Sequence, residues 1–194
     1  MIRFFNAFCK TILKNSTDYD IFLTATGSFS YYVEKCQRCG ATGKLSPYGS
    51  YDRTLVFRTG EETADNRVSL SRYKCKICDT THAILPDIIV PHSQYSLRFK
   101  LAALIAYFER DTTVAAVCQS FGIAVSTLYE WKKRLLSHKA LLLGALRSVK
   151  TSAHSFLRSL LESDCLSECL RNFFLKYAFS FLQCSFPATR SCPP

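Results

Sequence analysis

Two pairs of cysteines share the C-x-x-C spacing: Cys36 with Cys39, and Cys75 with Cys78. At this spacing a tight turn directs two thiolates at one ion, and two such turns complete a tetrahedral zinc shell. Gly40 follows the first pair and Asp79 the second, and both residue types tolerate the positive φ angle that such a turn often requires. The spacing therefore predicts a structural Zn²⁺ bound by these four cysteines. A catalytic zinc is not expected, because four protein sulfurs leave no open coordination position for water.

Charged residues next to the cysteine pairs support the prediction of a metal site. Nearby positive charge favours thiolates, and four cations flank the pairs: Lys35, Arg38, Lys74 and Lys76. Two other interpretations stay open, namely four unrelated buried cysteines or a redox dithiol in either pair. We interpret His82 as an ordinary surface or strand histidine rather than a ligand. We interpret four further cysteines as small apolar packing residues rather than as a second metal site: Cys165, Cys169, Cys184 and Cys192.

A second pattern is helical. Ser96 can cap a helix that runs to about Glu109, and a break at residues 110–112 supplies a fresh cap for a short helix over residues 113–121. Gly122 follows, and a third helix over residues 126–135 has Leu128, Trp131 and Leu135 on its inner side. A helix, a glycine turn and a second helix form the layout of DNA-reading helix-turn-helix motifs.

The segment from Cys118 to Arg134, with its Phe-Gly-Ile and Ser-Thr-Leu-Tyr-x-Trp elements, resembles the homeodomain-like helix-turn-helix of transposase and integrase N-terminal regions. Together with the preceding cysteine pairs, residues 36–140 are similar to the DNA-binding front end of insertion-sequence transposases and to a transposon-associated family with a zinc ribbon and a helix-turn-helix. The resemblance implies that Leu128 and Trp131 are core residues. It implies base contacts from Val125, Ser126, Tyr129, Glu130 and Lys133, and phosphate contacts from Lys132 and Arg134.

The resemblance stops before a catalytic domain. Such transposases carry three spaced carboxylates, whereas after residue 140 this chain offers only Glu162, Asp164 and Glu168, clustered on an apparent helix. We therefore expect no enzymatic activity. The leading interpretation is a sequence-specific binder of double-stranded DNA that is transposition-associated or transposase-derived. A transcriptional regulator of a host promoter, or a zinc-ribbon interaction scaffold without DNA binding, stays open.

The elements that must position these residues define an α+β fold: a small β zinc ribbon, a three-helix unit and further C-terminal helices. The predicted strands include residues 54–58 and 68–73, separated by a polar turn over residues 61–66. The segments are an N-terminal extension of unassigned structure (1–35), the ribbon (36–92), the helix-turn-helix domain (93–140), a helical region (141–186) and a tail (187–194). The Leu- and Phe-rich helices of 141–186 are where self-association, or packing of a transposase catalytic subunit, is expected.

Length and composition limit the classes of function that this chain can have. The 194 residues are too few for a complete DDE-type nuclease or a polymerase, and the formal net charge of +10 favours a polyanionic partner. No apolar run approaches the roughly 20 residues of a membrane span, and the N-terminus lacks the pattern of a secretion signal. We therefore expect a cytoplasmic protein without a membrane partner, in which paired cysteines bind metal rather than form disulfides.

Overall fold

The computed structural model describes residues 1–5, 17–59, 62–143, 152–162 and 166–183. They form a four-stranded sheet and six helices, which confirms the predicted α+β class. The strands are β1 (Ile2–Phe4), β2 (Leu45–Thr59), β3 (Glu62–Cys75) and β4 (Thr81–Pro86). The helices are α1 (Asp18–Gly27), α2 (Leu97–Glu109), α3 (Val114–Phe121), α4 (Val125–Leu143), α5 (Ala153–Glu162) and α6 (Leu166–Tyr177). No helix in these ranges combines the length and the apolarity that crossing a membrane requires.

A long antiparallel hairpin, β2 and β3, dominates the sheet, whose strand order is β1-β4-β3-β2. Pairing continues from Leu45 opposite Cys75 to Thr59 opposite Glu62. The polar turn predicted over residues 61–66 is therefore wrong, because residues 62–66 pair as strand; Asn66, for example, lies opposite Leu55. Backbone hydrogen bonds hold this part of the hairpin, and they do not require apolar side chains.

The helices begin and end close to the predicted residues. Ser96 caps α2, and its Oγ accepts a hydrogen bond from the Phe99 amide at 3.1 Å. Thr113 caps α3 in the same way, so that helix begins one residue later than predicted. Gly122 ends α3 at φ +60°, the left-handed conformation expected of the glycine turn. Helix α4 begins at Val125 and extends eight residues beyond the predicted end at Leu135.

The hairpin and the helices share one main core. Leu55 and Phe57 of β2, with Val68 and Leu70 of β3, are buried in the same apolar cluster as the inner faces of α2, α3 and α4. Backbone hydrogen bonds join β2 to the segment before α2: the Val56 amide donates to the Gln94 carbonyl at 2.7 Å, and the Ser96 amide donates to the Val56 carbonyl at 3.1 Å. A smaller core at the other end of the hairpin contains Ile2, Cys36, Leu45, Cys75 and Ile84.

The N-terminal residues, which the sequence left unassigned, extend both cores. Strand β1 pairs in parallel with β4 and places Ile2 in the smaller core. Helix α1 packs Ile21 and Phe22 into the main core. The buried carboxylate of Asp18 accepts a hydrogen bond from Ser96 at 2.8 Å and pairs with Arg98 at 3.2 Å, so α1 is fastened to the start of α2.

The C-terminal region is helical where it is described, and the predicted tail lies outside the described residues. Leu157 of α5, with Leu166 and Phe173 of α6, belongs to the main core. After α6, Leu182 lies against α4 and α2: its amide donates to His138 Nδ1 at 3.0 Å, and its carbonyl accepts from Lys100 Nζ at 3.4 Å. The C-terminal segment is therefore held by α2 and by α4, the helix that carries the predicted DNA contacts.

Candidate metal centre and nucleic-acid interface

The two C-x-x-C turns have matching backbone geometry. In the first, the Gly40 amide donates to the Cys36 carbonyl at 2.9 Å; in the second, the Asp79 amide donates to the Cys75 carbonyl at 3.0 Å. Gly40 has φ +76° and Asp79 has φ +57°, which confirms the positive φ angles predicted at both positions. The equivalence follows from local sequence, because Gly and Asp are among the few residue types that adopt this conformation readily.

These turns bring four sulfurs together. The Sγ atoms of Cys36, Cys39, Cys75 and Cys78 all lie within 4.8 Å of one another, close enough to hold one metal ion. The distance is 3.6 Å between Cys36 and Cys78 and 3.7 Å between Cys39 and Cys75, well beyond the 2.05 Å of a disulfide. Both of these contacts join one turn to the other, so the arrangement is a four-sulfur cluster rather than two separate dithiols.

The local electrostatics favour thiolates at two of the four positions. Hydrogen bonds from the Cys39 and Arg38 backbone amides lower the pKa of Cys36 despite its burial. Hydrogen bonds from the Thr80 hydroxyl and amide lower the pKa of Cys78 to about 6. Metal ligands must be deprotonated, so these donors favour the ligating form of Cys36 and Cys78. At Cys39 the effect is opposite: despite a backbone hydrogen bond from Ala41, desolvation and contacts with the neighbouring sulfurs raise its pKa to about 11.

The flanking cations act less directly than the sequence suggested. Arg38 donates to the Thr80 hydroxyl at 2.9 Å, which joins the first turn to the second. Lys74 forms an ion pair with Asp79 at 3.2 Å. Both side chains therefore brace the turns, while backbone and hydroxyl donors contact the sulfurs.

His82 is the strand histidine of the two expected alternatives, and it is buried rather than on the surface. It lies on β4 with 2% of its surface exposed, and its Nε2 is 3.2 Å from the Sγ of Cys36. Burial lowers the pKa of His82, which favours the neutral ring. Were the four cysteines to hold a metal ion, His82 would be a hydrogen-bonding partner of the ligand Cys36 rather than a ligand itself.

The second candidate site is the outer face of α4. Leu128, Trp131 and Leu135 are buried in the main core, as predicted, and the Trp131 ring lies 5.0 Å from Tyr95 and 6.2 Å from Phe99. Five side chains of the opposite face are exposed, as the resemblance implied: Val125, Ser126, Tyr129, Glu130 and Lys133. The helix is thus anchored on one side and open on the other.

The charged side chains of α4 differ in their surroundings. Lys132 Nζ donates to the Tyr107 hydroxyl at 2.7 Å and lies 5.5 Å from the Tyr129 ring, so it holds the two tyrosines together. Arg134 pairs with Glu130 at 3.4 Å across one helical turn. Lys133 is exposed and forms no ion pair within the described ranges.

A cleft of about 370 Å³ opens beside the first turns of α4. Ser126, Thr127, Glu130, Trp131 and Arg134 form one wall of the cleft. Residues 92–95 and the buried Lys100 form the rest, and Lys100 Nζ lies 5.4 Å from the Trp131 ring.

Sequence reasoning missed this second wall. His92 has φ +58°, and the hydrogen bonds of Val56 fix the loop that follows it. That pairing joins residues about 40 positions apart, and no local pattern signals it. The one indication of this wall in the sequence was Lys100, a lysine within an otherwise apolar helix face.

Residues 36–131 match the model of a family described as a domain of unknown function, DUF6431. The match begins at Cys36 and ends at Trp131, so it includes both cysteine pairs, the hairpin, α2, α3 and the start of α4. It carries no link to transposases or to zinc ribbons. Searches of curated proteins and of solved structures gave no match.

Proposed function

We propose that this chain is a non-enzymatic, sequence-specific DNA-binding protein with a structural zinc, and that it is transposition-associated or transposase-derived. In this proposal the cysteine-bearing hairpin is a zinc ribbon, and α3, Gly122 and α4 are a helix-turn-helix whose second helix enters the major groove. The main supporting observation is the division of α4 into a buried face and an exposed face that bears Tyr129 and Lys133.

The distances between the sulfurs support zinc as the metal. A tetrahedral zinc with bonds of about 2.3 Å to sulfur has sulfur-to-sulfur edges of about 3.8 Å. The edges from Cys36 to Cys78 and from Cys39 to Cys75, at 3.6 and 3.7 Å, are close to that value. Four thiolates suit a borderline-soft ion that needs no water ligand, so the metal's role would be to stabilise the fold.

The shape of α4 suits a groove. Its 19 residues correspond to about 28 Å of helix, and a helix with side chains fits the roughly 12 Å width of the major groove. Lys133 can donate to guanine, Val125 can contact a thymine methyl, and Ser126 and Tyr129 can bond bases or backbone. Arg134 is suited to phosphate, and Lys132 would act by orienting Tyr129.

Charge supports a polyanionic partner. Residues 93–140 contain seven basic and three acidic residues, a net charge of +4. Of these charges, Arg134 lines the cleft beside α4 at the border of the exposed face. Each phosphate neutralised should change the slope of log affinity against log salt by about −0.9.

The test combines selection and mutation. Binding selection from random duplex DNA, with and without a zinc chelator, should enrich a motif only when the metal is retained. Lys133→Ala should weaken binding to that motif about tenfold, because one base contact is worth roughly 1–3 kcal/mol. Lys176→Ala, which removes an exposed lysine of α6, is the matched control. Equal binding by Lys133→Ala, Arg134→Ala and wild type would instead favour the interaction scaffold.

The genomic context separates the two DNA-binding interpretations. A gene between inverted terminal repeats, whose sequence the selected motif matches, supports a role in transposition. A motif found only upstream of host genes would assign the protein to transcriptional regulation and contradict the transposition part of the proposal.

The C-terminal helices are the proposed surface for self-association or for a transposase catalytic subunit. Leu175 of α6 and Leu136 of α4 are exposed apolar side chains, at 69% and 44% of their surface. Small DNA-reading modules usually gain affinity by dimerising. Light scattering that finds a monomer with and without DNA would refute the self-association part.

A further inference from the structure

The hairpin contains a bulge close to the cysteine cluster. Pro47 pairs with Tyr73 and Gly49 with Arg72, so Tyr48 has no partner on β3. Gly49 has φ +119°, which side-chain-bearing residues rarely adopt, so the glycine permits the irregularity. Bulges re-aim the side chain at which they occur. Here the re-aimed side chain is Tyr48, with 56% of its surface exposed.

Two cations flank the Tyr48 ring. The Arg72 guanidinium and the Lys74 ammonium each lie 5.8 Å from the ring centroid, within the range of cation–π attraction. Arg72 and Lys74 are two positions apart on β3, so they lie on the same face of the strand. We call these three side chains the Tyr48 platform. It presents a phenolic hydroxyl and the charges of Arg72 and Lys74 on a two-stranded support, and Lys74 also pairs with the Asp79 carboxylate at 3.2 Å.

Positive charge is concentrated at this end of the hairpin. Residues 35–50 and 69–81 contain six basic residues and one acidic residue, a net charge of +5. Four thiolates around a divalent ion would reduce it to about +3. Residues 52–67, at the far end, contain three basic and four acidic residues, a net charge of −1. This asymmetry favours a polyanion at the cysteine end only.

We propose that the Tyr48 platform is a second contact surface for the backbone of the DNA duplex that α4 reads. The inference rests on the proposed function. Arginine, lysine and tyrosine side chains are common phosphate ligands, and charged donors make the stronger hydrogen bonds. The platform would therefore add affinity and orientation rather than base recognition.

The hairpin sets the spacing between the two surfaces. Val56 lies beside Tyr95, which contacts Trp131 of α4, and eight residues of strand separate Val56 from Tyr48. At about 3.3 Å per residue this corresponds to roughly 26 Å. Along a duplex with a rise of about 3.4 Å per base pair, that distance is roughly eight base pairs. On a duplex that runs parallel to the hairpin, the platform would extend the binding site by most of one helical turn.

The test uses the zinc-loaded 194-residue chain and a duplex of 24 base pairs that carries the selected motif, with binding followed by fluorescence anisotropy from 50 to 200 mM salt. Arg72→Ala with Lys74→Ala should reduce the salt slope by about 1.8, the value for two phosphate contacts. Over this fourfold range the wild type should lose about tenfold more affinity than the double variant. Arg67→Ala with Lys176→Ala removes the same charge from exposed residues outside the platform and should leave the slope within about 0.3 of wild type.

Comparison of these variants with Lys133→Ala distinguishes a failure of the platform proposal from a failure of the proposed function. Equal slope changes in the two double variants would overturn the platform, because net charge would then explain the effect. If only Lys133→Ala lost affinity, the platform proposal would also be overturned, while the role of α4 in DNA binding would be supported. A loss in the platform variant alone would support the platform and contradict the role of α4. Zinc content and circular dichroism equal to wild type establish that each variant is folded.

Discussion

His138 provides a pH-dependent test of how the C-terminal segment is attached. Its ring is 7% exposed, lies between 5.2 and 5.6 Å from the rings of Phe173, Phe179 and Phe181, and accepts the Leu182 amide through Nδ1. Burial, with a smaller effect of Arg134, lowers the pKa of His138 from 6.5 to about 4. The native state therefore binds this proton less readily than the unfolded chain.

The sign and size of the effect follow from linkage. Because the folded pKa is depressed, the stability is fully present above pH 6.5 and is lost as the pH falls towards 4. The shift corresponds to about 3 kcal/mol in total, of which about 2 kcal/mol is lost by pH 5. That is a large share of the 5–15 kcal/mol by which domains are usually stable.

The assay is urea unfolding at pH 7.5, 6.5, 5.5 and 5.0, comparing the wild type with His138→Gln. Glutamine keeps an acceptor for the Leu182 amide but does not titrate. The difference in unfolding free energy between the two proteins should change by about 2 kcal/mol between pH 7.5 and 5.0. Protonation of the cysteines and carboxylates affects both proteins equally. A constant difference across this range would refute the assignment of His138 as a buried neutral acceptor.

Three further predictions concern the metal and the turn before α4. Cys75→Ser should abolish stoichiometric metal binding measured by atomic emission, whereas Cys118→Ser, at a cysteine outside the cluster, should retain it. His82→Ala should weaken zinc affinity about 10- to 100-fold in competition with a chromophoric chelator, because an outer-shell partner of Cys36 is lost; His154→Ala is the control, and equal affinities would contradict the outer-shell role. Gly122→Ala should lower the unfolding free energy by about 1 kcal/mol, because the backbone has φ +60° while space around a Cβ is open; an unchanged chemical denaturation midpoint would contradict strain at this turn.

The parts of the fold that the sequence predicted well are those that depend on neighbouring residues. A cysteine turn needs a residue that tolerates positive φ, so Gly40 and Asp79 could be identified from spacing alone. A helix cap needs a hydroxyl before an apolar repeat, which located Ser96 and, within one residue, Thr113. The inner face of α4 follows from helical periodicity.

The parts that the sequence did not predict depend on distant residues. Residues 62–66 pair as strand because β2 lies alongside, although their polarity is typical of a turn. Strand β1 pairs with β4 across about 80 residues, and nothing within Ile2–Phe4 indicates that partner. His82 is buried because β4 turns this position towards Cys36, and a short strand with buried residues on both faces does not show which residue contacts a ligand.

The candidate metal centre and α4 are connected through one pair of strands. Strand β3 carries Cys75 at its end and Val68 and Leu70 in the main core, while β2 carries Leu45 beside the cysteines and Val56 beside Tyr95. A metal that fixes Cys75 therefore fixes the end of β3, whose partner strand β2 contacts the loop under Trp131 through Val56. Removal of the metal should disturb the Tyr48 platform first, because the platform lies at the end of the hairpin that contains the smaller core. It should disturb α4 less, since the main core holds that helix without the cysteines.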